Sequence, residues 1–281
     1  MTLRAAPATG VADLHTHTTA SDGLRSPTVL VAEARSAGLA AIGLTDHDTV
    51  DGVAEAVAAA GLDLQIIPGI ELSATAGAAE AHILGYFVDP ASDALLTALA
   101  DFRGQREARM RRFTVRLTEL GLPITHEEVL AESGDGSVGR PHLARVMVRR
   151  GYVADVAEAF DRYLAIGRPG FVEKDDITPE ACIALIGQAG GVAVLAHPFS
   201  TGDPEGFAVR LKTAGLTGLE VEYGAYDEPR RAILRDIAAR HDLIPTGGSD
   251  YHGPEHRETN RLGDGRVPMS IVADLARLAS R

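Results

Sequence analysis

The stretch DLHTHTTASDG, residues 13–23, contains two histidines that are one residue apart. The apolar residues 11–14 predict a strand, and on a strand the side chains of residues i and i+2 share one face. His15 and His17 therefore point the same way, as two ligands of one metal ion must. Asp22 follows on a predicted turn, from which its carboxylate can return to the same place. The stretch predicts a metal site; the alternative is a pair of histidines on a polar strand face.

Composition restricts the class of protein. The chain has 281 residues, of which 45% are hydrophobic, and it has no tryptophan and a formal net charge of −12. These values predict an aliphatic core of the kind found in α/β proteins with buried parallel strands. The acidic charge argues against nonspecific binding to duplex DNA.

The expected location of the protein is the cytoplasm. A single cysteine, Cys182, excludes an intrachain disulfide and fits a reducing compartment. The first residues, MTLRAAPATG, lack the apolar segment of a signal peptide. No stretch approaches the roughly 18 apolar residues of a membrane span, so we expect no membrane contact.

Strand-like and helix-like segments alternate along most of the chain, which predicts a parallel sheet or barrel. Between residues 99 and 169 the periodicity is helical only. We therefore predict one α/β domain formed by 11–98 and 170–281, and a helical insertion, 99–169, that covers its site. The predicted strands of the first part cover 11–14, 40–48, 64–74 and 81–88.

Candidate metal ligands lie at the ends of these strands. The C-terminal strand ends form the site in α/β barrels and open sheets, and His82, at a strand start, fits if its strand runs antiparallel. Histidine with carboxylate and without cysteine suits Zn, Fe or Mn. The set exceeds one tetrahedral site, and two-metal sites are typical of phosphoryl chemistry. The candidates are His15, His17, Asp22, His47, Glu71, His82, His197, Asp250 and His252.

The motifs DLHTHTTASDG, TDHD, PGIE, the isolated His82, AHP and GSDYH, in this order over residues 13–252, resemble those of the PHP (polymerase and histidinol phosphatase) family. The resemblance implies an α/β fold, a distorted (β/α)7 barrel, with two or three divalent ions at its rim. A helical insertion resembles one subgroup of small cytoplasmic phosphoesterases, which act on nucleoside 3′,5′-bisphosphates and on the 5′ ends of short RNAs.

The resemblance also assigns the ligands. It implies that His15, His17, Glu71 and Asp250 hold one ion, that Glu71 bridges to a second ion with His82 and His197, and that Asp22, His47 and His252 hold a third. Asp13 is expected behind the ligands, where it orients a histidine, and Asp46 is expected there as well.

A phosphate-binding motif is predicted in the insertion. GRPH, residues 139–142, resembles a motif that the subgroup carries over its site, and a helix start with an arginine favours a phosphate. Arg140 and His142 are therefore predicted to bind the substrate phosphate, the alternative being a solvated Arg140 and a His142 packed in its helix. Lys174, where the chain leaves the insertion, is a third candidate. The arginines of the helix at 101–121 are expected on a solvated face, and His126 at the surface.

The predicted function is metal-dependent hydrolysis of a phosphate monoester on a small nucleotide-like substrate, in which a metal-bound hydroxide attacks phosphorus. No residue is singled out as the acid that protonates the leaving group. The alternatives are a 5′–3′ exonuclease on short RNA or a cyclic phosphodiesterase with the same site, and, from another class, a non-catalytic metal-binding module. An amidohydrolase would need a bridging lysine, and no predicted strand contains a lysine. The oligomeric state stays open.

Overall fold

A computed structural model describes residues 9–76, 79–174, 177–254 and 260–279. The chain divides into two compact units, Met1–Thr97 with Asp176–Arg281, and Ala98–Asp175. The prediction that the helical segment covers the site stays a prediction. Among the described helices, none combines the length and the apolar character needed to cross a membrane.

The first unit is built on a sheet of eight strands, counted over the described residues. The strands are β1 (Val11–Thr16), β2 (Ala41–Leu44), β3 (Gln65–Ala76), β4 (Ala79–Tyr86), β5 (Val192–Leu195), β6 (Gly218–Tyr223), β7 (Ile244–Gly248) and β8 (Val267–Pro268). Their order in the sheet is β7-β6-β5-β4-β3-β2-β1-β8, and the β1–β2, β2–β3, β5–β6 and β6–β7 pairs are parallel.

Strand β4 is antiparallel to both of its neighbours, β3 and β5. This confirms the orientation that placed His82 near the other candidates. Strand β8, which the sequence reading missed, adds a two-residue antiparallel edge to β1. The prediction of an α/β barrel is confirmed, but one of its strands is reversed and one is only a short edge.

The barrel nearly closes where the chain after β7 meets β1. The N–H of Asp250 donates to the carbonyl of His15 at 2.8 Å, and the N–H of His17 donates to the carbonyl of Tyr251 at 2.9 Å. Gly248 allows this approach, because a Cβ at that position would lie 2.4 Å from the Cβ of His15. Closure of the barrel therefore brings the first motif, DLHTHTTASDG, next to the last motif, GSDYH.

The core of this unit is aliphatic, as the composition predicts. Its buried members come from the strands and from the last helix, whose inner face carries Val272 and Leu275. Burial of such side chains contributes roughly 1.5–3 kcal/mol each. The core includes Leu14, Ile67, Leu84, Tyr86, Val194, Val267, Met269, Val272 and Leu275.

Several helices of the first unit start with a capping residue followed by or close to a proline. The side chains of Ser26, Thr178, Asp203 and Asp227 each accept a hydrogen bond from a backbone N–H in the first helical turn. Such caps contribute about 1 kcal/mol each and fix where a helix begins. The helices are α1 (Pro27–Ser36), α2 (Val53–Ala60), α7 (Pro179–Gln188), α8 (Pro204–Lys212), α9 (Glu228–Arg240) and α10 (Met269–Ala279), with a 3-10 turn at Pro198–Thr201.

The second unit is helical and has its own core. It contains most of α3 (Asp93–Glu119) and all of α4 (His126–Ser133), α5 (Arg140–Arg149) and α6 (Val156–Ala159), with a π-helical turn at Phe160–Leu164. The capping box of α4 forms as predicted, since Thr125 and Glu128 exchange hydrogen bonds. Its core is formed by Met110, Phe113, Leu117, Ile124, Val129, Val138, Leu143, Val146, Met147 and Leu164.

One expectation for this unit was wrong and another holds in part. Four arginines of α3, Arg103, Arg111, Arg112 and Arg116, are exposed as expected, while Arg106 and Arg109 are half-buried. Arg109 and Arg116 also donate to the carbonyls of Val172 and Pro169 at distances of 2.7–3.0 Å. They hold the segment that follows the π-helical turn. His126 is buried rather than exposed, with 7% of its surface accessible. Its ring lies on the same face of α4 as the buried residues Val129 and Ser133.

Candidate metal centre

The nine predicted ligands converge at one end of the barrel. His15 and His17 come from the end of β1, His47 from the loop after β2, and Glu71 from β3. Isolated bridges join Thr16 to Tyr251 and His47 to Glu71, so the loops after β2 and β7 line up beside β1 and β3. The remaining candidates are Asp22, His82 on β4, His197 after β5, and Asp250 and His252 after β7.

The first group contains His15, His17, Glu71 and Asp250, with ligand atoms that all lie within 4.8 Å of one another. Oε2 of Glu71 lies 3.1 Å from Nε2 of His15 and 3.2 Å from Nε2 of His17. Oδ1 of Asp250 lies 3.2 Å from the same nitrogen of His17. The four side chains therefore face one point.

The second group contains His17, Asp22, His47 and His252 within the same limit. Nε2 of His252 lies 3.2 Å from Oδ1 of Asp22, and Nε2 of His47 lies 3.9 Å from Oδ2. The rings of His17 and His252 stack with centroids 4.0 Å apart. This group adds His17 to the three residues that the sequence placed together.

The third group surrounds the other oxygen of Glu71. Oε1 lies 2.8 Å from Nδ1 of His82 and 3.1 Å from Nε2 of His197, while Nδ1 of His47 lies 3.1 Å from Oε2. His47, Glu71 and His82 satisfy the distance criterion for a common ion. Glu71 is thus a single buried carboxylate in contact with five histidines.

The donor atoms fit metal ions better than they fit one another. Neither ring nitrogen of His17, nor Nδ1 of His47, makes a hydrogen bond of acceptable geometry within the described part of the chain, although all three atoms are buried. Buried polar atoms without partners are costly and rare in native proteins. Lone pairs that point at a common ion account for this arrangement.

The electrostatics keep the carboxylates charged. Burial acts to raise the pKa of Glu71, but the nearby His47, His15 and His82 outweigh it and hold that pKa well below its usual range. The same balance, with His252 and His47 as the main partners, lowers the pKa of Asp22. Burial lowers the pKa of His47 to about 3. Charged carboxylates and a neutral imidazole are the forms that bind cations.

Glu220 on β6 is a site residue that the sequence reading missed. It is fully buried, its Oε1 lies 2.8 Å from Nδ1 of His15, and its Oε2 accepts the backbone N–H of His197 at 2.6 Å. The contact to Nδ1 turns Nε2 of His15 toward Glu71. The available indication was the strand GLEVEY, in which glutamates alternate with apolar residues, because a glutamate that is buried on such a strand needs a partner.

Asp13 does not orient a histidine ring, which corrects that expectation. Its two oxygens accept from the backbone N–H and hydroxyl of Ser249 at 2.9 and 2.6 Å and from the N–H of Gly263 at 2.8 Å, and only the backbone N–H of His15 reaches it. Asp13 therefore anchors the chain after β7. Because Glu220 holds the ring of His15, it takes the role that was expected for Asp13.

Asp46 and Asp48 organise the loops that carry ligands. Asp46 accepts from the N–H and hydroxyl of Thr18, both at 2.7 Å, and from the hydroxyl of Ser21 at 2.6 Å. These contacts fix the turn before Asp22. Asp48 accepts the N–H of Ser73 at 2.9 Å and has a φ of 50°, a conformation that L residues rarely adopt.

The predicted phosphate-binding residues lie in the second unit. Nδ1 of His142 accepts the N–H of Gly139 at 3.0 Å, so this buried ring caps its own helix. The guanidinium of Arg140 lies 5.6 Å from the ring centroid of Phe160 and donates to the carbonyl of Leu164 at 3.4 Å. Lys174 is half-buried. The binding of phosphate by these residues stays a prediction.

Comparisons with known proteins give the family. The PHP domain model matches residues 13–172. The chain is 37% identical over 249 residues to the 5′-3′ exoribonuclease Rnm of Salmonella typhimurium, covering 86% of this chain and 85% of that relative. It is 34% identical over 250 residues to the 3′,5′-nucleoside bisphosphate phosphatase of Chromobacterium violaceum, covering 86% and 87%.

A solved structure from Bifidobacterium adolescentis, described as a metal-dependent phosphoesterase, superposes with a TM-score of 0.87 at 33% identity and covers 98% of both chains. Together with the matched relatives, it confirms the predicted resemblance and the prediction of a metal-dependent hydrolase of phosphate esters. The family match spans more than half of the chain, and the relatives align over most of it. This chain therefore belongs to the PHP domain family.

Proposed function

We propose that this protein hydrolyses a phosphate monoester on a nucleoside 3′,5′-bisphosphate, with two or three divalent ions held by the nine candidate ligands. Glu71 carries the proposal, because one fully buried carboxylate lies within 3.2 Å of nitrogens from five histidines. The phosphatase from Chromobacterium violaceum supports the choice of substrate. The imidazole and carboxylate donors suit Mn, Zn or Fe.

The candidate ligands form groups that would hold different ions. Glu71 offers one oxygen to the His15–His17–Asp250 group and the other to His82 and His197, so it would contribute to holding two ions. Asp22 and His252 complete the neighbouring group with His47. When bound, the ions supply positive charge that activates water and stabilises the phosphoryl oxygens.

The substrate phosphate needs cationic contacts as well, and Arg140, His142 and Lys174 are proposed for them. The GRPH motif supports Arg140 and His142 because it begins α5, and backbone N–H groups at a helix start favour anions. Lys174 rests on its position in the sequence alone.

Turnover of adenosine 3′,5′-bisphosphate with Mn²⁺ tests the proposal. It is run beside a 5′-phosphorylated RNA pentamer, following released phosphate and mononucleotide. Fast phosphate release from the bisphosphate with slow shortening of the RNA is the expected result. Stepwise shortening of the RNA from its 5′ end would favour the second candidate, an exoribonuclease, which the 37% identity to Rnm supports. Metal binding without turnover of either substrate would favour a binding module.

A matched pair of variants ties turnover to the site. Glu71→Gln is expected to lower kcat at least 100-fold and to reduce the bound metal, since it removes the shared charge. Glu205→Gln is the control, because Glu205 also contacts a histidine, His241 at 2.8 Å, but at the surface. Equal activity of the two variants would refute the ligand assignment.

Arg140→Ala tests the phosphate contact separately. We expect KM for the bisphosphate to rise roughly 10-fold or more, because a charged hydrogen bond to phosphate contributes about 1.5–3 kcal/mol. Arg162→Ala is a control in the same unit, since Arg162 pairs with Glu158 at the surface. Unchanged kcat and KM for Arg140→Ala would remove this residue from the site.

A further inference from the structure

A small aromatic cluster lies at the same end of the barrel as the candidate metal centre. Phe199 follows β5, two residues after His197, and Tyr226 follows β6. Their rings meet edge to face with centroids 5.3 Å apart, and the N–H of Phe199 donates to the hydroxyl of Tyr226 at 3.0 Å. Both rings are only half-buried. We call Phe199, Tyr226 and Arg230 the rim cluster.

Tyr223 connects the rim cluster to the candidate ligands. Its hydroxyl donates to Oδ2 of Asp250 at 2.7 Å, and its ring centroid lies 5.7 Å from that of His197 and 4.7 Å from that of Tyr226. A single ring therefore separates Tyr226 from the metal centre. In a nucleotide, the sugar separates the reacting phosphate from the base, and it would span the distance from the metal centre to Tyr226.

Arg230 differs from the other arginines of α9. Arg235 pairs with Glu222 and Glu228, and Arg240 pairs with Asp236 and Glu205. The guanidinium of Arg230 makes no ion pair within the described residues, and its contacts are the ring faces of Phe199 and Tyr226, each with a centroid 6.0 Å away. The rim cluster therefore places a cation beside two aromatic faces.

The hydroxyl of Tyr226 can also donate a hydrogen bond to a ligand. Its hydroxyl accepts from Phe199 but donates to no acceptor in the part of the chain that is described. Burial raises the pKa of this phenol, so it stays protonated. The rim cluster thus presents a ring face, a planar cation and a hydrogen-bond donor, which are the groups that bind nucleobases.

We infer that the rim cluster is a subsite for the nucleobase of the substrate, stacked on Tyr226 or Phe199 beside Arg230. The inference rests on the proposed function, because it takes the metal centre as the place of the reacting phosphate. The recognised chemistry is an aromatic base joined to a phosphate through a sugar. Both a free nucleotide and the first residue of a short RNA carry it.

The test compares a substrate with and without a base. Adenosine 3′,5′-bisphosphate is hydrolysed beside its abasic analogue, 1,2-dideoxyribose 3,5-bisphosphate. Tyr226→Leu and Phe199→Leu keep apolar volume but remove a ring. Each is expected to raise KM for the adenosine substrate roughly 10-fold, because stacking on one ring changes affinity by about that factor or more. Neither is expected to change KM for the abasic substrate.

Two further variants separate the subsite from general packing. Tyr226→Phe keeps the ring and is expected to retain most of the preference for the base. Phe207→Leu is the matched control, since the guanidinium of Arg210 lies 4.6 Å from the centroid of that half-buried ring, but Arg210 is also paired with Glu180. An equal rise in KM for both substrates, or no rise for either, would overturn the inference.

Binding of adenosine itself gives a readout that does not need turnover. The chain has six tyrosines and no tryptophan, so a stacked base is expected to quench tyrosine emission, and Tyr226→Leu is expected to abolish the saturable part. Saturable quenching without hydrolysis of any phosphate ester would contradict the proposed function and support the nucleobase subsite. Hydrolysis of the bisphosphate without adenosine binding would support the proposed function and contradict the subsite. The same comparison on a 5′-phosphorylated RNA with an abasic first residue distinguishes the two sources of the base.

Discussion

At the scale of single residues, two buried carboxylates determine the geometry of the centre. Glu71 faces five histidines, and Glu220 stands behind two of them, at the ring of His15 and the backbone of His197. The two glutamates share a low-dielectric environment, where such contacts are strong if every partner is present. A glutamate-to-glutamine substitution removes the charge of either residue and keeps its size. It can therefore distinguish a residue that binds the metal from one that orients a metal ligand.

Glu220→Gln is expected to weaken Mn²⁺ binding roughly 10- to 100-fold while KM for the substrate stays within a factor of about two, since partners behind metal ligands have effects of that size. The amide can accept from only one of the two N–H groups that Glu220 now satisfies. Chelator competition measures the affinity. Glu222→Gln on the same strand, whose carboxylate bonds Arg235, is the control. Wild-type metal affinity in Glu220→Gln would contradict the assignment.

His126→Leu is expected to flatten the acid side of the stability profile. Burial, then Arg111, lowers the pKa of His126, so below about pH 6.5 the unfolded chain binds a proton that the native state does not. Its contribution to the free energy of unfolding therefore decreases as pH falls through 6.5. Both ring nitrogens also lack hydrogen-bond partners within the described residues, so leucine is tolerated.

Urea unfolding from pH 8 to pH 5.5 measures this effect. The stability advantage of His126→Leu over wild type should grow as pH decreases. Thr125→Ala is the control, because it removes the cap of the same helix and should cost about 1 kcal/mol at every pH in this range. A parallel pair of profiles for His126→Leu and wild type would show that the ring titrates normally.

At the scale of elements, the loops after the strands place the ligands, and buried carboxylates hold these loops. Asp46 fixes the turn from Thr18 to Ser21, and Asp13 fixes the chain after β7. Strain accompanies the arrangement, because His197 and Asp250 have positive φ values of 25° and 55°. Non-glycine residues in such conformations persist only where the surroundings enforce them.

Asp46→Ala is expected to release about one of the bound ions, because the turn that Asp46 holds leads directly to Asp22, a ligand of one group alone. The ions per chain are counted by mass spectrometry after dialysis against a fixed free Mn²⁺ concentration. Asp63→Ala, at an exposed position, should retain the wild-type count. An unchanged count in a folded Asp46→Ala protein would show that the turn does not need this carboxylate.

At the scale of the whole molecule, the metal centre couples strands that are far apart in the chain. A ligand that binds only the native state, at 100 times its dissociation constant, stabilises it by about 2.7 kcal/mol. For a chain of this size, that corresponds to a rise in Tm of roughly 5 °C on adding Mn²⁺ to chelator-treated protein. Glu71→Gln should show little of this rise. An unchanged Tm on adding Mn²⁺ would contradict binding of the ion by the native state.

Much of the fold and of the candidate ligand set could be predicted from the sequence, because those features depend on neighbouring residues. The spacing of His15 and His17 places both on one strand face, and Thr125 with Glu128 forms the predicted cap. Alternation of strands and helices predicts a parallel sheet or barrel, and the resemblance to the PHP family selects the barrel. Such rules act over a few residues and do not require knowledge of the remaining chain.

The tertiary structure decided which distant groups meet. Glu220 reaches His15 across 205 residues, and Tyr223 reaches Asp250 only because β6 lies beside β7. Asp13, expected at a histidine ring, instead satisfies N–H groups that barrel closure brings to it. The sequence by itself therefore determined the element types and the candidate donors. Strand pairing, a long-range balance of burial and hydrogen bonding, decided which group each donor faces.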